Sequence, residues 1–168
     1  MKNGRVEVIC GAGLGKTSLA IGKGIMALTE QKSVIMIQFL KGNRKEDQDA
    51  LKVLEPDFKI FRFEKADAFF EELSEEEKAE ELINIKNGFN FARKVIATGE
   101  CDVLILDEVL GIIDRNIIEL EEFEHLVASK EEEMSLILTG KVFPEKLRPL
   151  VDAISVIDYI DVDKVKQP

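Results

Sequence analysis

A glycine-rich segment near the amino terminus has the residue types and spacing of a phosphate-binding loop. It follows the apolar run 6–10 and ends in Gly15-Lys16-Thr17. Glycines allow successive backbone N–H groups to face an anion, and the start of the following helix adds partial positive charge. Lys16 adds a mobile cation, and the hydroxyl of Thr17 suits Mg²⁺. The residues expected to contact a bound phosphate chain are Gly11, Ala12, Gly13, Leu14, Gly15, Lys16, Thr17 and Ser18.

The segment departs from the common phosphate-loop pattern at one position. That pattern begins with a glycine, which is replaced here by Cys10. The alternative interpretation is an ordinary glycine-rich turn between a strand and a helix. The preceding apolar strand, together with Gly15-Lys16-Thr17, favours phosphate binding.

A second candidate site follows the apolar run 103–106, where Asp107 and Glu108 stand next to each other. This segment resembles a Walker B strand, and we expect it to lie beside the phosphate loop. We expect Asp107 to hold Mg²⁺ together with Thr17, either directly or through water. Glu108 has two open interpretations: it orients water or a ligand group, or it only caps a helix. Lys16, Asp107 and Glu108 are the candidate catalytic residues.

Two further candidates come from the apolar strand predicted over residues 33–40. Parallel α/β sheets bind their ligands at the carboxyl ends of the strands. Gln38 and Lys41 stand at that end of the second strand, where a polar loop begins. We therefore expect both side chains to lie near the phosphate loop.

Apolar runs and helical periodicity alternate along the chain. Strands are predicted over residues 6–10, 33–40, 58–63, 101–106, 134–139 and 153–157, and helices over 17–31, 46–54, 74–99, 119–129 and 144–150. Ser74 and Glu77 form a capping-box pattern at the start of the longest helix. This order predicts an α/β protein with a P-loop NTPase-like fold: a doubly wound, mostly parallel sheet of about six strands flanked by helices. We expect residues 1–168 to form a single nucleotide-binding domain.

Composition limits the classes of partner. The formal net charge of −10 argues against a nucleic acid or an anionic membrane as partner, since both require clustered Lys and Arg. No apolar run approaches the ~18 residues of a membrane span, and no signal segment precedes the first strand, so we expect a cytoplasmic protein. Cys10 and Cys101 have neither metal-site nor disulfide spacing and are predicted to be free thiols. His125, the only histidine, is expected on the surface.

The order of these motifs resembles the P-loop type of ATP:corrinoid adenosyltransferase. Residues 11–17 stand where that family has Gly-Asn-Gly-Lys-Gly-Lys-Thr, which also lacks the first glycine. Residues 37–42 are similar to its Val-Gln-Phe-hydrophobic-Lys-Gly, the most discriminating segment. Residues 106–108 resemble its Leu-Asp-Glu, and residues 138–141 its Leu-Thr-Gly-Arg.

The resemblance implies transfer of the 5′-deoxyadenosyl group of ATP to the cobalt of a reduced corrinoid, with release of triphosphate. It also implies Mg²⁺, a homodimer and a reductase partner. Such chemistry needs orientation and stabilisation of the leaving triphosphate, but no general base. Among apolar residues expected in loops, Phe69-Phe70 and the 110–113 segment are candidates to cover the corrinoid, although packing on the core is the favoured interpretation of Phe69-Phe70.

Two alternatives remain open at this stage. A P-loop ATPase or kinase-like enzyme would act on the γ-phosphate, with Glu108 positioning the nucleophile. A non-catalytic protein would bind nucleotide or corrinoid without turnover. Release of triphosphate would indicate adenosyl transfer, and steady release of phosphate would indicate the ATPase or kinase-like enzyme. Tight ligand binding without any product would indicate the non-catalytic protein.

Overall fold

The six predicted strands form one sheet in which every pairing is parallel. A computed structural model describes residues 3–42 and 49–165. The strands are β1 Val6–Cys10, β2 Val34–Gln38, β3 Phe58–Arg62, β4 Val103–Asp107, β5 Ser135–Thr139 and β6 Ala153–Val156. Their order across the sheet is β3-β2-β4-β5-β1-β6. The predicted doubly wound α/β fold is therefore confirmed.

Helices connect the strands and cover both faces of the sheet. They are α1 Lys16–Thr29, α2 Glu75–Thr98, α3 Val109–Asp114, α4 Leu120–Ala128 and α5 Val162–Val165, with 3₁₀ turns at Ala50–Leu54, Phe70–Glu72 and Glu145–Leu150. The capping box of Ser74 and Glu77 is present, and Gly99 ends the same helix in a left-handed conformation. Of the helix predicted over 46–54, residues 46–48 lie outside the described residues.

Alternation along each strand divides the core into two layers. Val8 of β1 and Leu104 of β4 belong to the cluster beneath α2. Their neighbours in sequence, Ile9 and Ile105, belong to the cluster beneath α1. Because successive side chains point to opposite faces, strands that are apolar throughout can fill both layers.

The 110–113 segment is not a loop, as the sequence analysis expected. It lies within α3, and its residues are 0–7% exposed. An uninterrupted apolar run directly after a strand is buried here as a short helix, which turns its side chains into the core. This segment therefore cannot cover a ligand in the way proposed for a loop.

One glycine of α1 is required by the packing of the helix on the sheet. A Cβ added at Gly24 would lie 2.5 Å from Cε2 of Phe58 and 3.1 Å from Cδ1 of Ile105. Both side chains are almost fully buried, so they have little room to move. Gly22 lies in the same helix with nothing within 4 Å of such an atom.

We expect Gly24→Ala to lower the free energy of unfolding by about 1–2 kcal/mol, because overpacking outweighs the better helix propensity of alanine. The matched control Gly22→Ala should raise it by up to about 1 kcal/mol. Urea denaturation followed by circular dichroism measures both. Equal effects of the two substitutions would contradict the close approach of α1 to the sheet.

Candidate functional site

The glycine-rich loop has the backbone geometry expected at two of its three glycines. Gly11 and Gly15 have φ values of 112° and 95°, a region that favours glycine. Gly13 does not have a positive φ but passes close to the chain after β6: a Cβ there would lie 2.6 Å from the carbonyl oxygen of Asp158. The N–H of Gly13 donates to the carbonyl of Ile157 at 2.8 Å. The loop is thus fixed on β6 as well as β1.

The backbone N–H groups of residues 14–18 have no hydrogen-bond acceptor within the described ranges. They lie at the end of the loop and in the first turn of α1, where a helix attracts anions. Lys16 is half-buried beside them, and its Nζ donates to the carbonyl of Gly13 at 2.7 Å. Leu14 is 82% exposed at the loop, and Ala12 and Ser18 are exposed as well. Backbone N–H donors and the Lys16 ammonium therefore lie together at the loop that the sequence predicts to bind phosphate.

Asp107 is fully buried at the carboxyl end of β4. Thr17 directs its hydroxyl at the carboxylate, with Oγ1 3.0 and 3.1 Å from the two oxygens. Thr139 donates to Oδ1 at 2.7 Å, and Gln38 donates from Nε2 to Oδ2 at 3.2 Å. A buried carboxylate needs such donors to offset its desolvation. Three separate elements, α1, β5 and β2, supply them.

Lys41 completes this arrangement from the loop after β2. Its Nζ donates to Oγ1 of Thr17 at 3.0 Å and lies 3.7 Å from Oδ2 of Asp107. The structure thus brings together Lys41, Gln38, Thr17 and Asp107, as expected from the ends of parallel strands.

The strand order differs from the expectation that β4 lies beside the phosphate loop. β5 separates β4 from β1, since strand neighbours depend on long-range pairing that local sequence does not reveal. Thr139, the last residue of β5, fills the interval: its hydroxyl donates to Asp107 and accepts the N–H of Glu108 at 2.9 Å.

Glu108 lies directly beyond Asp107 with a φ of 61°, before the first residue of α3. Its side chain makes no capping hydrogen bond to that helix. The residue is half-buried. Glu108 thus occupies the N-cap position of α3 without a capping bond from its side chain, and its role toward a ligand stays a prediction.

Sequence reasoning missed one cation of this network. Arg62, the last residue of β3, donates from Nε to Oε1 of Gln38 at 2.6 Å. This contact orients the Gln38 amide so that its Nε2 faces Asp107. The rule that pointed to Gln38, position at a strand's carboxyl end, would have found Arg62 too.

An open groove of about 410 Å³ lies between the start of α2 and the end of α3. Its lining residues are Phe70, Glu71, Lys78, Leu82, Arg115 and Ile117. Arg115 pairs with Glu71 at the groove, and this contact lowers the pKa of the Glu71 carboxyl. Phe70 packs partly on the core, whereas the adjacent Phe69 is 44% exposed. The two phenylalanines therefore have different environments.

The remaining candidate nucleophiles are unsuited to chemistry. Cys10 and Cys101 are both buried free thiols, as predicted. Burial raises the pKa of Cys10 despite the nearby charge of Lys16, and it raises that of Cys101 to about 12. His125 is exposed on α4, as expected. Residues 3–42 and 49–165 contain no group of three or more His, Cys, Asp or Glu that could hold a metal.

Within the same ranges, the structure has no helix long and apolar enough to cross a membrane.

Comparison with known proteins identifies the family of this chain. The family model described as ATP:corrinoid adenosyltransferase BtuR/CobO/CobP matches residues 2–164. The corrinoid adenosyltransferase of Escherichia coli is 25% identical over 157 residues, which cover 92% of this chain and 76% of that protein. The corrinoid adenosyltransferase CobA of Salmonella typhimurium is 24% identical over 154 residues, with the same coverage of each chain.

An uncharacterized protein of Nostoc sp. is 30% identical over 163 residues, or 89% of this chain. The chain spans only 42% of the length of that Nostoc protein. Because the family model extends over nearly the whole sequence, and relatives named corrinoid adenosyltransferase match along most of it, this chain belongs to the ATP:corrinoid adenosyltransferase BtuR/CobO/CobP family.

Proposed function

We propose that the protein transfers the 5′-deoxyadenosyl group of ATP to the cobalt of a reduced corrinoid. The electron pair of cobalt(I) forms a bond to C5′, the C5′–O bond breaks, and triphosphate leaves with that bond's electrons. The observation that carries the proposal is the convergence of the free N–H groups of residues 14–18 with Lys16 and Lys41. This arrangement suits a polyphosphate whose charge grows as it leaves.

Lys16 is proposed to bind the triphosphate. Its Nζ now donates to a loop carbonyl, Gly13 O, which a phosphate oxygen would replace. An ion pair in this half-buried loop is stronger than the present neutral contact. Residues Gly11 to Ser18 would surround the phosphates, with the backbone N–H groups as the main donors.

Mg²⁺ is proposed to bind between Thr17 and Asp107. Their hydroxyl and carboxylate are the hard oxygen ligands that Mg²⁺ prefers, and few protein ligands are needed when phosphates supply others. The ammonium of Lys41 lies close to both groups, at 3.0 Å from Thr17 Oγ1 and 3.7 Å from Asp107 Oδ2. The site therefore attracts a cation in the structure itself. When bound, the ion would neutralise charge on the triphosphate.

The corrinoid is proposed to bind outside the same edge of the sheet. Phe69 is exposed and Phe70 lines the groove beside Arg115, so this groove is a partly apolar surface that could take an acceptor. The homodimer, the reductase partner and the cytoplasmic location rest on the family resemblance and the composition, and they stay predictions.

A second candidate function is hydrolysis or transfer of the γ-phosphate. The specific observation in its favour is Glu108, whose side chain makes no capping bond and follows Asp107 directly. Such a carboxylate is placed to orient a water or hydroxyl nucleophile. Adenosyl transfer is preferred because the whole sequence matches that family. A non-catalytic binding role would use the same loop without turnover.

Lys16→Ala should weaken ATP binding by about 1.5–3 kcal/mol, because a hydrogen bond to a charged phosphate is lost. Titration calorimetry with ATP and Mg²⁺ measures the change. Lys94→Ala, which removes an exposed lysine of α2, is the matched control and should leave the affinity unchanged. Unaltered affinity in the Lys16 variant would contradict binding at this loop.

Asp107→Asn should reduce Mg²⁺-dependent ATP affinity by about tenfold more than the affinity in chelator, since the lost charge faces the ion. Asp102→Asn, at the other end of the same segment, is the control. Its Oδ2 accepts from N–H and Oγ of Ser33, remote from the loop. Equal losses with and without Mg²⁺ for Asp107→Asn would mean that its role is structural only.

The reaction itself is tested by mixing the protein with ATP, Mg²⁺ and a chemically reduced corrinoid. Formation of a carbon–cobalt bond changes the visible absorbance, and we expect this change with wild type and its near loss with Lys16→Ala. ATP binding without any absorbance change under strong reduction would favour the non-catalytic alternative.

A further inference from the structure

A buried carboxylate outside the phosphate loop holds the backbone that carries Lys41. Glu64 follows β3 and is only 6% exposed. Its Oε1 accepts the N–H of Leu40 at 2.8 Å. The N–H groups of Lys41 and Gly42 also lower the pKa of this carboxyl, although burial outweighs them and raises it overall. The hydrogen bond from Leu40 therefore ties Glu64 to the backbone directly before Lys41.

That stretch of backbone has an unusual conformation. Leu40 has a φ of 59° and Gly42 a φ of 63°. Glycine adopts this left-handed region readily, whereas leucine does so only when its surroundings impose it. Such turns aim consecutive N–H groups to one side, where an anion stabilises them. The carboxylate of Glu64 is the anion on that side.

Lys41 lies between these two left-handed residues. Its side chain extends toward the phosphate loop, where Nζ lies 3.0 Å from Thr17 Oγ1 and 3.7 Å from Asp107 Oδ2. The N–H of Phe39 donates to the carbonyl of Asp107 at 2.9 Å, which fixes the start of the same turn on β4. The backbone directly before Lys41 thus has two anchors: the N–H of Phe39 on Asp107 and the N–H of Leu40 on Glu64.

A neighbouring acid provides a comparison. Glu81 of α2 is 5% exposed and lines the same small cavity as Glu64. Its Oε1 accepts from the N–H of Lys65 at 3.0 Å and from Nδ2 of Asn84 at 2.9 Å. Neither of these contacts involves residues 40–42. Glu81 is buried because α2 packs it against the loop after β3.

The two carboxylates differ in how completely they are satisfied. Oε2 of Glu64 is buried and has no hydrogen-bond partner in the described part of the chain. Burying a carboxylate with an unpaired oxygen is unfavourable. A contribution to folding stability therefore does not explain why a glutamate is buried at position 64. Its hydrogen bond to the backbone of the turn that carries Lys41 offers an explanation.

We propose that Glu64 is a positioning residue that sets the place of the Lys41 ammonium against the bound triphosphate. It acts through the backbone of residues 40–42 and does not touch substrate. This proposal rests on the proposed function, since it assigns Lys41 a phosphate as partner.

A double-mutant cycle tests the connection, with inorganic triphosphate and ATP as probes and calorimetry in Mg²⁺ as the measurement. Glu64→Gln keeps the volume but removes the charge and replaces one carboxylate oxygen by an amide donor, which weakens the acceptor for the N–H of Leu40. We expect it to weaken triphosphate binding by about tenfold, and Lys41→Ala to do the same, the lower end for losing a bond to a charged group. The double variant should bind no more weakly than Lys41→Ala alone.

Glu81→Gln is the matched control, equally buried in the same cavity. It should change the affinity by no more than about twofold, and its small effect should add to that of Lys41→Ala. Glu64→Ala serves as a stronger second variant, and circular dichroism shows that each variant is folded. Should the alanine variant unfold, the isosteric glutamine variant still completes the cycle.

Additive effects of Glu64→Gln and Lys41→Ala would overturn the proposal, as would an unchanged affinity in Glu64→Gln. A wild type that binds neither triphosphate nor ATP would overturn it as well. Coupling without any adenosyl transfer would leave it standing and remove the proposed function instead. Adenosyl transfer together with additive effects of Glu64→Gln and Lys41→Ala would support the proposed function and overturn the role of Glu64.

Discussion

The burial of the Asp107 carboxylate is the constraint on which the site depends. A fully buried negative charge is stable only with donors around it. Thr17, Gln38 and Thr139 donate to it, and the Lys41 ammonium lies 3.7 Å away. Because these residues end or follow different elements, one carboxylate fixes the phosphate loop, β2 and β5 relative to one another. The same contacts place hard oxygens and a cation beside the loop N–H groups that have no acceptor within residues 3–42 and 49–165, which is where we propose that a triphosphate with Mg²⁺ binds.

Local sequence predicted the elements well, because their signals are local. The capping box of Ser74 and Glu77 and the terminal Gly99 delimit α2, and apolar runs delimit the strands. Position at a strand end also led to Gln38 and Lys41. The order of strands was beyond such reasoning: β5 lies between β4 and β1 because of pairings between residues more than 100 positions apart, such as Val8 with Leu138.

Charged residues that the fold buries were the main failures. Glu64, Glu81 and the half-buried Arg62 are of residue types that usually stay in water, and only tertiary packing brings the two acids into one cavity and Arg62 against Gln38. The segment 110–113 failed for a related reason: a short apolar run does not distinguish a buried helix from a loop. These residues pack around the candidate site and hold its side chains in place. The sequence therefore predicts the residues of the candidate site better than the residues that position them.

The fate of the phosphates tests the central claim most directly. Phosphorus NMR of a reaction containing the protein, ATP, Mg²⁺ and reduced corrinoid distinguishes triphosphate from orthophosphate and ADP. Adenosyl transfer breaks only the C5′–O bond, so the account predicts intact triphosphate in equal amount to the adenosylated corrinoid. Orthophosphate and ADP as the primary products, with no adenosylated corrinoid, would contradict it and assign the site to chemistry at the γ-phosphate.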